Sequence, residues 1–303
     1  MVYYLTQEEI EYVRELSTQN LVEESLRGWN YKEEPVRPYS KKHLLSAWEF
    51  SSPCPSYRDI YLRKKFKIKH PVSKYQIFGF YLHKCVRKVF ESARKMIYAG
   101  KKKIKEKIID ITIKEISKNL NEEKSLNKED KEKLLEYCRI LSEFESERVQ
   151  VKFNEILAFS KFPSIDTLAF RAIPFVVELS LTGKILGFSQ EIKVDAFGLS
   201  SLVFDLKFGK EMFRHKLQLT AYALTLEANY FIPINVGCIV YVRFRTKNKL
   251  EIEREIFSIN DNLRAKLLEI RDNLQYSLEK GEPPNIPKKC YRNCLLFDIC
   301  HSI

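Results

Sequence analysis

The chain has few of the residues that loosen structure: nine of its 303 residues are glycine and eleven are proline. Hydrophobic residues make up 45% and charged residues 30%, so a disordered or low-complexity polypeptide is excluded and a folded one expected. No apolar run approaches the roughly eighteen residues that span a bilayer. The opening MVYYLTQEEIEY reads as an acidic helix, not as the basic and then apolar start of a signal peptide. A cytoplasmic protein without a membrane partner is the expectation. No internal repeat is visible, which sets aside solenoids and propellers. The seven cysteines form no C-x-x-C pair, and an odd number in a reducing compartment argues against a disulfide framework.

What is present is positive charge, concentrated in one place. The net charge is +12, and residues 58–107 carry seventeen Lys and Arg against three acidic residues, leaving the remainder at −2. Such a concentration suits a polyanion, because each neutralised phosphate releases condensed counterions. A solvated, lysine-rich helix surface accounts for the same run. Lys101, Lys102 and Lys103 are the candidate DNA contacts within it.

The length leaves room for one large domain or two smaller ones. Residues 6–16 predict a helix opened by a capping box, Thr6 with Glu9. Residues 40–70 predict helix interrupted at SSPCPS. A longer helix is expected over 77–98, carrying Phe80, Cys85, Val86, Val89 and Phe90 into a core and stopping at Gly100. The Lys/Glu-rich stretch 101–151 predicts two helices joined near 119–127, with Asn127 as an N-cap and Ile104, Ile108, Ile111, Ile116, Leu134, Leu135, Cys138 and Leu141 at helical spacing. The period then changes to two. Strands are expected at 174–180, 190–197, 202–208, 235–245 and 249–257, with helices over 211–229 and 259–279. The fold class is therefore α/β (α+β), a central mixed sheet flanked by helices.

Chemistry concentrates on two of these strands. Along 202–208, Leu202, Phe204, Leu206 and Phe208 fall on one face, and Val203, Asp205 and Lys207 on the other. In the preceding strand Ile192, Val194 and Ala196 point inward, with Asp195 opposite. For both aspartates to share a face, the connection at GLSS needs an odd number of residues or a bulge. A three-residue loop places Asp195 opposite Val203, and a five-residue loop opposite Asp205. Two close carboxylates repel unless a cation lies between them; with a backbone carbonyl, that of Leu206, they suit Mg²⁺ or Mn²⁺. Lys207 then orients or deprotonates an attacking water. Gln218 and Tyr222 lie one turn apart on the next helix, either serving that site or forming an ordinary half-buried surface.

VDAF, FDLK ten residues later and QLTAY beyond resemble the motifs of RecB-like PD-(D/E)xK nucleases: an aspartate, a (D/E)xK strand and a QxxxY helix. The upstream GFYLH resembles the family's histidine motif, which implies His83 as a further metal ligand beside Asp195, Asp205 and Leu206. Glu178 in VVELSL is a weaker match. CPSYRDIYL around Cys54, with Cys290, Cys294 and Cys300 near the C-terminus, resembles the iron-sulfur subgroup, in which four such cysteines bind a [4Fe-4S] cluster. Three residues separate the first terminal pair where the subgroup usually has two, and a zinc site built from the same four cysteines is the competing use. Cys85, Cys138 and Cys238 sit in apolar patterns as small core residues.

The resemblance as a whole is to the CRISPR-associated RecB-like nuclease family that trims DNA before spacer integration, in particular its larger archaeal subgroup; abundant Lys, Glu and Ile suit a thermophile. It implies a single nuclease unit over 1–303. Within it, 1–75 with 283–303 would form an iron-sulfur lobe, 76–100 with 152–282 the core, and 101–151 a helical insertion. It also implies DNA with single-stranded character as substrate, and the CRISPR integrase and other spacer-acquisition proteins as partners. Two other functions compete: a recombination or repair nuclease with the same chemistry, and a DNA-binding scaffold subunit with a vestigial site.

Overall fold

The computed structural model describes residues 2–19, 21–68, 72–159, 163–198, 201–245, 249–288, 290 and 294–302. Where the sequence alternates, five strands form one sheet: β1 (Phe175–Leu181), β2 (Ile192–Gly198), β3 (Leu202–Lys207), β4 (Val236–Arg245) and β5 (Lys249–Ser258), in the spatial order β1-β2-β3-β4-β5. All neighbours are antiparallel except β3 and β4, which run parallel. A parallel pair needs a crossover, and α7 (His215–Tyr230) supplies it. The sheet is thus mixed, as expected.

Helices cover both faces. On one lie α3 (Lys74–Tyr98), α4 (Lys105–Glu122), α5 (Lys128–Phe159) and α6 (Ile165–Ala172). Their Val89, Phe90, Ile108, Ile116, Leu134 and Leu141 share a core with Leu202, Phe204 and Leu206. On the other face α7 packs with α8 (Asp261–Lys280), α2 (Arg58–Phe66), α9 (Phe297–Ser302) and the segment around Leu45 and Phe50, over Val203 and Ile239. The N-terminal helix α1 (Gln7–Gln19) starts at the expected capping box, with Thr6 N–H donating to Glu9 at 2.7 Å and Glu9 N–H to the Thr6 hydroxyl at 3.2 Å. Asn127 caps α5, accepting from Asp130 N–H at 2.8 Å. Among the described residues no helix is long and apolar enough to cross a membrane.

Several local expectations change. Phe80 and Ile111 are exposed, because α3 and α4 turn those positions away from the shared core. Residues 40–46 are not helical; the region contains a short 3-10 turn, Ala47–Ser51, then α2 beyond the proline-flanked break. The β2–β3 pairs are Ala196 with Phe204 and Phe197 with Val203, the register expected of a five-residue connection. That register leads to Asp195 beside Asp205 rather than Val203; residues 199–200 lie outside the described residues. Ile192 and Val194 join the second core while Ala196 joins the first. The division coincides with Glu178, which stands opposite Asp195 in the β1–β2 register at φ 47°. A left-handed residue within a strand kinks it and breaks the ladder.

The second face is tied together by a buried ion network. Glu227 on α7 accepts from Arg27 Nη1 at 2.8 Å, Arg264 Nη1 and Nη2 at 2.8 and 2.9 Å, Gly28 N–H at 2.8 Å and Ile234 N–H at 3.0 Å. Gly28 must be glycine, because a Cβ there would lie 2.0 Å from the Leu224 carbonyl oxygen.

Candidate active site

The kinked hairpin and the crossover helix converge on one cluster. Asp195 accepts from the Leu206 N–H at 2.7 Å, a donor freed where the β2–β3 ladder stops. Asp205, on the next strand, is fully buried. Lys207, two residues on and therefore on the same face, places Nζ 2.9 Å from Asp205 Oδ2 and donates to Gln218 Oε1 at 3.0 Å. The Gln218 amide in turn donates to the Tyr222 hydroxyl at 2.9 Å and reaches Asp205 Oδ1 at 3.4 Å. One turn of α7 thus fixes Gln218 and Tyr222 over the strand that carries the carboxylate and lysine. From the other side of the hairpin, α3 brings His83 Nδ1 to 3.6 Å from Asp195 Oδ1. All five expected catalytic residues and His83 therefore meet.

Burial pushes the Asp195 carboxyl up to about 6, against the pull of Lys207 and the Leu206 N–H. Burial, with Asp195 close by, pushes Asp205 up to about 7 despite Lys207. His83 is lowered to about 4 by burial and by the Lys207 charge, so its ring is a neutral potential ligand at neutral pH. The Tyr222 phenol is raised well above its usual value by burial and the two aspartates.

These donors fit a hard divalent cation in kind. They are two carboxylates, the Leu206 backbone and an imidazole, and Asp205 Oδ2 is buried without a hydrogen bond although Lys207 lies beside it. Among the described residues no three His, Cys, Asp or Glu side chains are gathered at ligating distance; the lysine ammonium and the Leu206 amide lie against the carboxylates instead.

The four cysteines of the second candidate site lie on two segments that meet. Arg58, just past Cys54, donates to the Pro284 carbonyl at 2.7 Å and the Cys300 carbonyl at 3.2 Å. Cys54, Cys290 and Cys294 are half-buried and Cys300 is buried. Soft thiolate donors suit iron-sulfur or zinc, but no three of them are gathered at ligating distance among the described residues. Cys85, Cys138 and Cys238 are fully buried, as expected of core residues. Lys101, Lys102 and Lys103 are exposed beyond the end of α3, which runs about 22 Å past His83.

Three features escaped the sequence. Arg87, one turn beyond His83, donates to Glu178 at 2.8 Å and so holds the strained residue beside Asp195; its i+4 spacing from His83 was the available signal. His215 Nδ1 lies 3.1 Å from the Tyr241 hydroxyl, and Tyr241 pairs with Lys207 across β3 and β4. Arg214, at the start of α7, donates to the Ser52 carbonyl at 2.6 Å, to the Cys54 carbonyl and to the Pro55 carbonyl at 3.1 Å, and its guanidinium covers the Tyr57 ring at 4.5 Å. No local pattern announces a contact across some 160 residues.

The mixed sheet brings together in space, on one hairpin and its crossover helix, the Asp, Asp-x-Lys and Gln-x-x-x-Tyr motifs that resemble those of RecB-like nucleases. A family model described as "CRISPR-associated exonuclease Csa1" matches residues 1–303. The chain belongs to the Csa1 family of CRISPR-associated exonucleases. It is 30% identical over 289 residues to the CRISPR-associated exonuclease Csa1 of Saccharolobus solfataricus, covering 92% of each chain. The protein of the same description from Thermoproteus tenax is 26% identical over 282 residues, covering 93% of this chain and 92% of that one. A crystal structure from Eubacterium rectale overlaps 89% of this chain and 92% of its own at 14% identity and a TM-score of 0.42, a likeness in outline only.

Proposed function

We propose that this protein is a divalent-metal-dependent DNA exonuclease that processes DNA fragments during CRISPR spacer acquisition, alongside the integrase and other acquisition proteins. The observation that carries the reading is the hydrogen-bonded cluster of Asp195, Asp205, Lys207, Gln218 and Tyr222 on a hairpin and its crossover helix. Asp195, Asp205, the Leu206 carbonyl and His83 would hold Mg²⁺ or Mn²⁺. A cation bound there supplies a lowered water pKa and charge stabilisation on the phosphate. Lys207, steered by Gln218, stands beside the carboxylates to orient the attacking water and offset the developing charge. Tyr222 fixes the Gln218 amide and thereby the lysine. Cys54, Cys290, Cys294 and Cys300 would hold a [4Fe-4S] cluster that clips the two ends of the chain together.

Labelled single- and double-stranded DNA, incubated with Mn²⁺ or with chelator, tests the reading. Stepwise loss from an end, abolished by chelator, is the expected result; cleavage unaffected by chelator, or no cleavage with Mn²⁺, would overturn it. For the cysteines, protein purified without oxygen should be brown, with iron and sulfide each near about four per chain. Serine at any of the four should bleach it and lower the melting temperature, whereas serine at Cys85, Cys138 or Cys238 should not bleach it. Colourless protein with stoichiometric zinc would reassign the site to structural zinc.

A further inference from the structure

The first turns of α3 present two largely exposed aromatic rings, of which Phe80 meets Tyr81 edge to face at 5.4 Å. Tyr75 is 82% exposed and Phe80 is 63% exposed. Between them lies Gly79, at which an added Cβ would meet nothing within 4 Å. No neighbour requires glycine there, although glycine in a helix interior weakens the helix relative to alanine. Its effect is to leave a strip of bare backbone between the two rings.

This face leads into the candidate site. Tyr75, Gly79 and His83 follow one another at i+4 spacing and Phe80 precedes His83 by three residues, so the two rings flank the line from Gly79 to His83, Tyr75 on one side and Phe80 on the other, about 140° apart around the helix. His83 is the residue that reaches Asp195, at 3.6 Å. Along the axis Tyr75 and Phe80 stand about 7.5 Å apart, about twice the 3.4 Å stacking rise of nucleotides, so each ring offers a separate surface to a different base of one strand. Phe80 and His83 are about 4.5 Å apart on the same axis. The face belongs to α3, and from its first residue to the start of the next helix residues 74–107 carry eleven Lys and Arg against two acidic residues, a balance that draws a polyanion.

We propose that Tyr75, Gly79 and Phe80 form a stacking platform for the unpaired bases of a single DNA strand whose backbone enters the site at His83. Base faces are available to aromatic side chains only where the strand is unpaired, and such stacking is tolerant of sequence. The proposal takes its direction from the nuclease reading, but its test measures binding and does not depend on cleavage.

The experiment compares a short oligothymidylate with an abasic strand of the same length, by fluorescence anisotropy in chelator. Wild type should bind the oligothymidylate at least about tenfold more tightly than the abasic strand, since stacking contributes at this scale for each base. Tyr75→Ala/Phe80→Ala should bind both at the abasic level, with the salt dependence and melting temperature of wild type. Gly79→Leu, which fills the strip without removing a ring, should weaken only the oligothymidylate. Phe80→Trp should retain the preference, and its emission should be quenched by oligothymidylate and not by the abasic strand. Equal affinity of wild type for the two strands, or an undiminished preference in the double alanine variant, would overturn the platform. A double variant that changes oligomeric state and keeps the preference would show instead that copies of the chain meet at this face. If wild type binds with the expected preference yet never cleaves DNA, the nuclease reading fails and the platform stands.

Discussion

Glu227 and Asp205 are both fully buried carboxylates, and their surroundings treat them in opposite ways. Burial would raise Glu227, but Arg264 and the Gly28 and Ile234 amides outweigh it and hold the carboxyl below its ordinary value. Asp205 has one lysine contact and a long contact to Gln218, and burial raises it to about 7. One anion is satisfied by the chain itself; the other is left short of partners on a face shared with a second carboxylate. A buried charge with all its donors fixes the fold, whereas an under-compensated one is available to chemistry.

The largest effect should come from breaking the satisfied member. Glu227→Ala leaves Arg27 and Arg264 buried without their anion and should lower unfolding free energy by about 3–5 kcal/mol in urea titrations. Asp205→Asn, equally buried, should leave stability unchanged or raise it; a loss as large as that of Glu227→Ala would erase the distinction. For catalysis the order reverses. Asp205→Ala or Lys207→Ala should reduce cleavage by at least about 10²-fold with folding and DNA binding kept, and full activity in either would remove the assignment.

The pair also differs in pH dependence. Asp205, raised from about 3.9 in the unfolded chain to about 7, binds more protons when folded, so its contribution is present at low pH and lost as pH rises through about 7. Glu227 has the opposite sign, contributing above its unfolded value of about 4.3 and losing that contribution as pH falls below it. Metal-free protein should therefore have a lower unfolding free energy at pH 7.5 than at pH 5, by at most about 1.4 kcal/mol for each unit in that window from Asp205, with Asp195 adding in the same direction up to about pH 6. Mn²⁺ or Asp205→Asn should flatten the profile, and an unchanged slope in both would show that Asp205 is not its source. The smallest effect concerns neither carboxylate. Neutralising Lys101, Lys102 and Lys103 should reduce the slope of log affinity for DNA against log salt by about 2–3, with stability within about 0.5 kcal/mol; equal slopes would mark a merely solvated surface.

The hairpin was legible because its signals are local. Alternation fixed which residues of 202–208 share a face, and QLTAY, one crossover away, could only return over the same strand. Even there the kink was not legible: Glu178 adopts its left-handed conformation against the ordinary preference of its residue type, held by Arg87 from a helix some 90 residues earlier. The Glu227 network was equally invisible, since Arg27 and Arg264 approach from opposite sides across 200 and 37 residues. Phe80 shows another boundary: helical period identifies an apolar position but not which flank of the helix its neighbours will cover.

Arg214 has a consequence best put as kinematics. Its side chain is fastened to the carbonyls of Ser52, Cys54 and Pro55, and its own carbonyl accepts the Gln218 N–H at 3.3 Å. The Cys54 loop and the turn that aims Gln218 at Lys207 therefore share a pivot. The cysteine segment and the Asp195–Asp205–Lys207 cluster, separate in composition, are thus joined through one residue, a mechanical link between the two.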